Sequence, residues 1–383
     1  MKTVSVKSLD ELVEAGVIQL TRGKIISKTD MAACPGSYPV YSSAKENDGK
    51  FGEYGRFMFD EDLITWSVDG GGRLFYRPKH KFSVTNVGGV LRILDRATLD
   101  YRYLFYALTL RHSEITFDWV KKAHPSVIRK LYTDIPVLPI PEQQRIVGIL
   151  DAAFDGIATA KAKAEQNLQN ARALFESHLQ SVFTQRGEGW VTKELGDICD
   201  VKDGTHDSPK YVPDGIPFVT QKNVREEGLS FSNTKFISDE DHAKFYKRSN
   251  VAHGDILISM IGANRGMACL VDDERVFSIK NVGLVKANSA LNQRFLLYFL
   301  KSSQAADYVS SKSKGGAQEF IGLTELRKFP VPIPEWSEQG ALVVKLDALH
   351  EETQRLESLF QHKLAALAEL KKSLLHQAFS GVL

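Results

Sequence analysis

The chain has 383 residues, 43% of them hydrophobic and 25% charged, and a formal charge of +2. This is globular composition with length for two or three separate cores. It excludes a polycation, so any nucleic-acid binding has to rest on local charge. No run of about 18 apolar residues offers a membrane span. Met1-Lys2-Thr3-Val4-Ser5 lacks the apolar core of a signal peptide. Cys34, Cys199 and Cys269 form no CxxC pair, and an odd count argues against a disulfide framework. A cytoplasmic chain is the expectation.

In chain order, residues 1–138 mix strand and helix signals. Tyr38-Pro39-Val40-Tyr41, Asp62-Leu63-Ile64-Thr65-Trp66 and Phe82-Ser83-Val84-Thr85-Asn86-Val87 read as strands. Gly70-Gly71-Gly72 reads as a turn, and Tyr101 to Leu108 as a helix. The segment from Asp134 to Pro141 holds three prolines and should be extended. Pro141 can open a helix, because its missing N–H would be unpaired there anyway. Glu142 in the first turn suits the helix dipole.

Apolar or small residues then recur at steps of three and four: Ile146, Leu150, Ala153, Ile157, Ala160, Ala164, Leu168, Ala171, Leu174 and Val182. That is a coiled-coil seam. At about 1.5 Å per residue it makes a rod of about 60 Å, which needs a packed partner. The partner is a second such helix, with Leu342, Leu346, Leu349, Leu356, Phe360, Leu364, Leu367, Leu370 and Leu374. His178 lies near the first seam and reads as a packed polar residue.

The second helix belongs to an internal repeat. Leu150-Asp151-Ala152 returns as Leu346-Asp347-Ala348, and Phe183 as Phe379, each 196 residues on. Pro139-Ile140-Pro141 is answered by Pro332-Ile333-Pro334, with Glu335-Trp336-Ser337 read as an insertion before Glu338-Gln339. Ile216-Pro217-Phe218-Val219 answers Tyr38 to Tyr41, Asp255 to Ser259 answers Asp62 to Trp66, and Phe277 to Gly283 answers Phe82 to Gly88. Gln293 to Tyr298 answers Tyr101 to Tyr106. The division is therefore domain 1–138, helix 139–187, domain 188–331 and helix 332–383. The fold class is α+β: two similar α/β domains and two long helices. Antiparallel pairing would give a pseudo-two-fold, circular arrangement.

These residues resemble the specificity subunits of type I restriction–modification systems. The resemblance spans the whole chain and rests on Ile135 to Gln144, on Phe329 to Pro334, and on the helix that follows each. It implies a subunit without catalytic activity. Each target-recognition domain would read one half of a two-part double-stranded DNA site. The helices would set the spacer and dock two methyltransferase subunits. Restriction subunits join such complexes. S-adenosylmethionine, ATP and Mg are expected only on the partners, and no cofactor or metal on this chain. A non-DNA adaptor with two protein-binding domains remains the alternative; an enzyme with an unrecognised site is a further rival.

Base-reading side chains are Arg, Lys, Asn and Gln, with Ser and Thr. In the first domain Ser42, Ser43, Lys45 and Asn47 follow the first strand, and Arg73 follows the glycines. In the second the candidates are Thr205, His206, Gln221, Lys222, Asn223, Asn264 and Arg265. Phosphate contacts are assigned to Lys121 and Lys122, with Lys312 and Lys314 read as the matching stretch. The competing reading of each is an ordinary polar loop residue.

Catalytic motifs are missing. There is no GxxxxGK[ST] loop, no GxGxxG in Gly70 to Gly72, no HExxH pair, and no Asn/Asp-Pro-Pro-aromatic segment. Pro213-Asp214 has no nearby Glu-x-Lys. His206 and Asp207 are adjacent and should point opposite ways.

Overall fold

The computed structural model describes residues 5–43, 47–69, 71–115, 122–315 and 319–382. Lys45, Lys121 and Gly70 lie outside them. The segment before the first long helix contains β1 (Ser5–Lys7), α1 (Leu9–Glu14), β2 (Ile18–Arg22), α2 (Lys28–Ala33), β3 (Tyr38–Tyr41), β4 (Lys50–Tyr54), β5 (Phe59–Ser67), β6 (Leu74–Val84), β7 (Gly88–Ile93), α3 (Tyr101–Glu114), α4 (Pro125–Leu131) and β8 (Ile135–Val137). The long helix α5 (Ile140–Thr184) follows. Next come β9 (Val191–Glu194), α6 (Leu195–Ile198), β10 (Val201–Asp203), β11 (Ile216–Val219), β12 (Val224–Arg225), β13 (Gly228–Leu229), β14 (Lys235–Ile237), α7 (Asp239–Ser249), β15 (Ile256–Ser259), β16 (Ala268–Leu270), β17 (Ser278–Ile279) and β18 (Val282–Val285). The chain closes with α8 (Gln293–Leu300), α9 (Ser303–Lys312), α10 (Leu323–Arg327), β19 (Pro330–Ile333) and the second long helix, α11 (Trp336–Phe379).

The chain divides into two compact units, Met1–Glu165 with His362–Leu383, and Gln166–Gln361. In the first unit a six-stranded sheet runs β2-β7-β5-β6-β3-β4. Helix α3 covers one face, burying Leu104 and Leu108 with Ile64, Trp66 and Leu91. Asp100 caps α3 by accepting from the N–H groups of Arg102 and Tyr103. In the second unit the same frame is divided between a four-stranded sheet, β10-β18-β15-β16, and a three-stranded one, β14-β11-β17. Asn292 caps α8 as Asp100 caps α3.

Within each unit two helix segments pack antiparallel. In the first, Ile146 and Leu150 of α5 share a core with Leu375 and Ala378 of α11. In the second, Leu179 and Phe183 share a core with Val343 and Leu346. The seam differs locally from the expected one. Leu174 is 56% exposed and Leu370 47% exposed. Phe175 turns inward instead, its ring 4.9 Å from that of His350. His178 is exposed rather than packed.

The alignment of the repeat changes at the second hinge and in the central strand. The prolines suggest an insertion at the second hinge, yet none is present. Pro136 in β8 pairs with Val6 of β1, and Pro332 in β19 pairs with Thr192 of β9. The Pro139 carbonyl then accepts the first helical N–H groups of α5, and the Glu335 carbonyl those of α11. Pro332 therefore answers Pro136, and the hinge runs without a gap into Gln143 and Gln339. What repeats is a strand and a capping carbonyl; the Pro-Ile-Pro triplets fall out of phase with both.

The second change lies in the central strand. Ile64 pairs with Leu91, and Ile256 pairs with Val285. Ile64 and Trp66 face the helix-covered core, as do Ile256 and Ile258, while Leu257 faces the other way. Ile64 thus answers Ile256, one residue from the match suggested by sequence. A slip of one residue reverses every side chain in a strand, so burial decides the register.

Candidate nucleic-acid interface

In the second unit a cleft of about 560 Å³ opens at the end of β11. It is walled by Thr220 to Asn223, Arg225, Ser232 to Lys235, and Lys280-Asn281, with Tyr211 and Phe218 behind. Among the described residues four cations line it, Lys222, Arg225, Lys235 and Lys280, and no carboxylate does. This is the local positive charge that a near-neutral chain needs to hold a polyanion. The amide side chains of Gln221, Asn233 and Asn281 supply donor–acceptor pairs of the type that match base edges. Tyr211 is 40% exposed and carries the Lys235 ammonium 4.2 Å from its ring centroid.

The cleft is built by local bonds. Asn223 is buried, and its side-chain oxygen accepts from the Thr220 N–H and hydroxyl. Its amide donates to the Ser230 carbonyl and the Thr234 hydroxyl. These bonds draw the two walls together and leave Lys222 exposed at the tip of the turn. Asn281 stands at φ 52°, which turns the chain between β17 and β18. Gly204 lies against that turn, where a Cβ would sit 2.2 Å from the Ile279 carbonyl oxygen. The close approach buries Thr205, whose hydroxyl accepts from the Asp207 N–H.

Of the residues expected from sequence, the cleft brings together Gln221, Lys222 and Asn223. Asn223 and Thr205 are framework residues, with their polar atoms committed inside the domain. Thr205, His206, Asn264, Arg265, Lys312 and Lys314 do not line this cleft. His206 stands beside it, bonded to Asn281 and to Asp203, which also receives Arg248. Asp207 pairs with Lys244 instead, so His206 and Asp207 do not act on each other. Arg265 is committed to Glu319 and the Ser313 hydroxyl. Asn264 is exposed on the turn after β15, and Lys314 forms a β-bridge with Phe320. Lys312 ends α9, over the Tyr308 ring.

Lys312 and Lys314 do not match Lys121 and Lys122 in the repeat. The Ala123 N–H donates to the Val68 carbonyl, and the Ile321 N–H to the Met260 carbonyl. The counterpart of Lys122 is thus Phe320. Lys122 itself is exposed and pairs with Asp69 at 3.2 Å.

In the first unit the equivalent loop follows β3. The Ser42 hydroxyl accepts from Thr85, and the Ser43 hydroxyl donates to the Val87 carbonyl while accepting from the Asp69 N–H. Asn47 and Asp48 have positive φ, and Asn47 is exposed. Arg73 is exposed, 5.2 Å from the Phe75 ring. Arg77 is not among the residues expected from sequence. It is 5% exposed, lies 3.6 Å over the Tyr41 ring, and donates to Thr65 and to the Asp48 carbonyl. Burial pushes its pKa down to about 10, so it stays cationic at neutral pH. The missed cations Arg225, Lys235 and Lys280 had one sequence signal: Lys280-Asn281 lies inside the clearest matched segment of the repeat.

Both recognition segments are fastened to the long helices in one way. Gln143 is fully buried; its oxygen accepts from the Asp100 N–H, and its amide donates to the Thr98 and Leu138 carbonyls. Gln339, 1% exposed, accepts from the Asn292 N–H and donates to the Pro334 carbonyl. Eight residues further on, Asp151 accepts from the Tyr106 hydroxyl and pairs with Arg102. Asp347 likewise accepts from Tyr298 and pairs with Arg294.

Among the described residues no helix is long and apolar enough to cross a membrane. A family model described as the type I restriction modification DNA specificity domain matches residues 1–170 and 187–362. The specificity subunit of the type I restriction enzyme MjaVIII, from Methanocaldococcus jannaschii, is 24% identical over 344 residues, 82% of this chain and 79% of that protein. The solved HsdS subunit from Thermoanaerobacter tengcongensis matches the fold with a TM-score of 0.56 at 17% identity, over 96% of this chain and 97% of that one. A chain from a structural study of the assembly and conformational transition of a type I R-M system matches with a TM-score of 0.71 at 17% identity, over 96% and 98%. Two matched copies of one family model, covering both recognition segments and much of both long helices, establish that the chain belongs to the type I restriction–modification DNA specificity family.

Proposed function

We propose that each unit reads one half of a two-part DNA site, the second through the cleft around Lys222, Arg225, Lys235, Lys280 and Asn281. The first reads its half through the surface around Asn47 and Arg73. The observation that carries this reading is the repeat itself: one frame, fastened to the helices by the same Gln and Asp residues, presents different polar loops in its two copies. Two unlike readers on one scaffold suit an asymmetric sequence with an unread spacer.

The chain contributes recognition; methylation of adenine belongs to two methyltransferase subunits docked on the helices, and cleavage to restriction subunits. S-adenosylmethionine, ATP and Mg are bound by those partners, in the cytoplasm. Exposed apolar residues on the long helices, such as Leu174, Val344 and Leu359, are available for such docking.

Long-read methylation sequencing of the host genome, with and without this gene, tests the proposal. A two-part motif bearing N6-methyladenine should vanish on deletion. An unchanged methylome in a host whose partner methyltransferase is expressed would refute it.

A further inference from the structure

The fastenings between recognition domain and helix carry an inference that rests on the proposed reading. We propose that Tyr106–Asp151 and Tyr298–Asp347 are matched positioning pairs, which hold each recognition domain at one angle on its helix and so limit the spacer lengths the protein accepts. The hydroxyl–carboxylate distances are 2.5 Å and 2.6 Å. An arginine one turn before each tyrosine, Arg102 or Arg294, closes on the same carboxylate at 2.7 Å and 2.8 Å. Asp151 and Asp347 stand 196 residues apart, as do Gln143 and Gln339.

The neighbouring apolar contacts of Ile146, Leu150 and Leu346 hold the domains down without fixing a direction. Charge-assisted hydrogen bonds to a carboxylate are directional. One base pair along DNA is roughly 34° of rotation and about 3.4 Å of rise. A domain free to turn or slide by that amount would accept a neighbouring spacer. The repetition favours a positioning role. Around the two pairs the surrounding residues differ, with Tyr101 in one copy and Gln293 in the other, yet the tyrosine, arginine and aspartate recur in the same geometry.

The test uses the full chain assembled with its methyltransferase partners. The substrates are DNA duplexes bearing both half-sites, with spacers one or two base pairs shorter or longer than the natural one. Tyr106→Phe, Tyr298→Phe and the double variant each remove a hydroxyl and keep the ring. The double variant should weaken the preference for the natural spacer over its neighbours by about tenfold and leave the half-site sequences unchanged, with smaller effects in the singles. An unchanged spacer preference would overturn the proposal. So would a parallel loss of activity on every spacer, because the pairs would then be folding elements only. Failure of the unsubstituted complex to recognise any two-part site would instead overturn the functional reading beneath it.

Discussion

The two recognition domains share a frame and differ in continuity. In the first, β6 runs for eleven residues and belongs to both halves of the sheet: its start pairs with β5 and its end with β3. Pro78 is tolerated inside it because the β5–β6 ladder shifts register there, and the Asp62 carboxylate takes the Lys79 N–H. In the second, the corresponding stretch breaks into β16 and β17. Asp272-Asp273-Glu274 separates them, and these residues are poor in strands. The Asp273 carboxylate bonds the Arg275 N–H and guanidinium, a local alternative to a ladder; those bonds hold its pKa down at about 2. An acidic stretch thus stands where one sheet becomes two, while the helix-facing core stays similar. The recognition frame tolerates a broken strand because its attachment to the helix does not run through it.

Substitution at the attachment itself should have the largest effect and should differ between the copies. Gln143→Ala strands an N–H and two carbonyls, all beside a buried side chain, whereas Gln339→Ala strands one N–H and one carbonyl. At about 1–3 kcal/mol per stranded buried group, Gln143→Ala should cost about 4 kcal/mol and Gln339→Ala about 2–3 kcal/mol. Thermal unfolding of the two variants checks the order; equal losses would mean the copies are attached alike.

Alkaline pH should separate the copies next. Burial raises the phenols of Tyr101, Tyr103 and Tyr132, and pushes Tyr76 and Tyr106 up to about 12, all in the first unit. In the second unit burial raises Tyr298 and Tyr308. A raised phenol favours the fold below its unfolded value of about 10. That contribution falls as pH climbs toward the folded value, since the native state then binds more protons than the unfolded one. Brief proteolysis at about pH 11, read by mass spectrometry, should cut the first recognition segment before the second. The reverse order would contradict the sign or the share assigned to these residues.

The smallest effect is at the cleft. Lys222→Ala and Lys280→Ala should each flatten the salt dependence of DNA binding by about one unit of slope, with the first half-site read as before. Arg265→Ala should leave the slope alone, because Glu319 already takes its charge. Salt titration of binding by the assembled complex distinguishes the two cases.

The helices, the strand positions and the repeat are legible in the residues. Spacings of three and four report a buried helical stripe, and prolines exclude helix between Asp134 and Pro139. The cleft is less so. Gln221 and Asn223 are near neighbours of similar chemistry, yet Asn223 is spent on Ser230 and Thr234, seven and eleven residues away. Arg265 looks available in the sequence and is committed to Glu319, 54 residues away.

By itself the sequence determined the periodic elements, the order of domain and helix, and the family resemblance, because each rests on local spacing or on a repeat visible along the chain. Tertiary structure alone decided the strand register at Ile64 and Ile256, the ungapped second hinge, and which polar side chains are left to meet a ligand. These depend on burial and on hydrogen bonds between residues far apart in the chain, and a one-residue difference in phase is invisible until a core chooses a face.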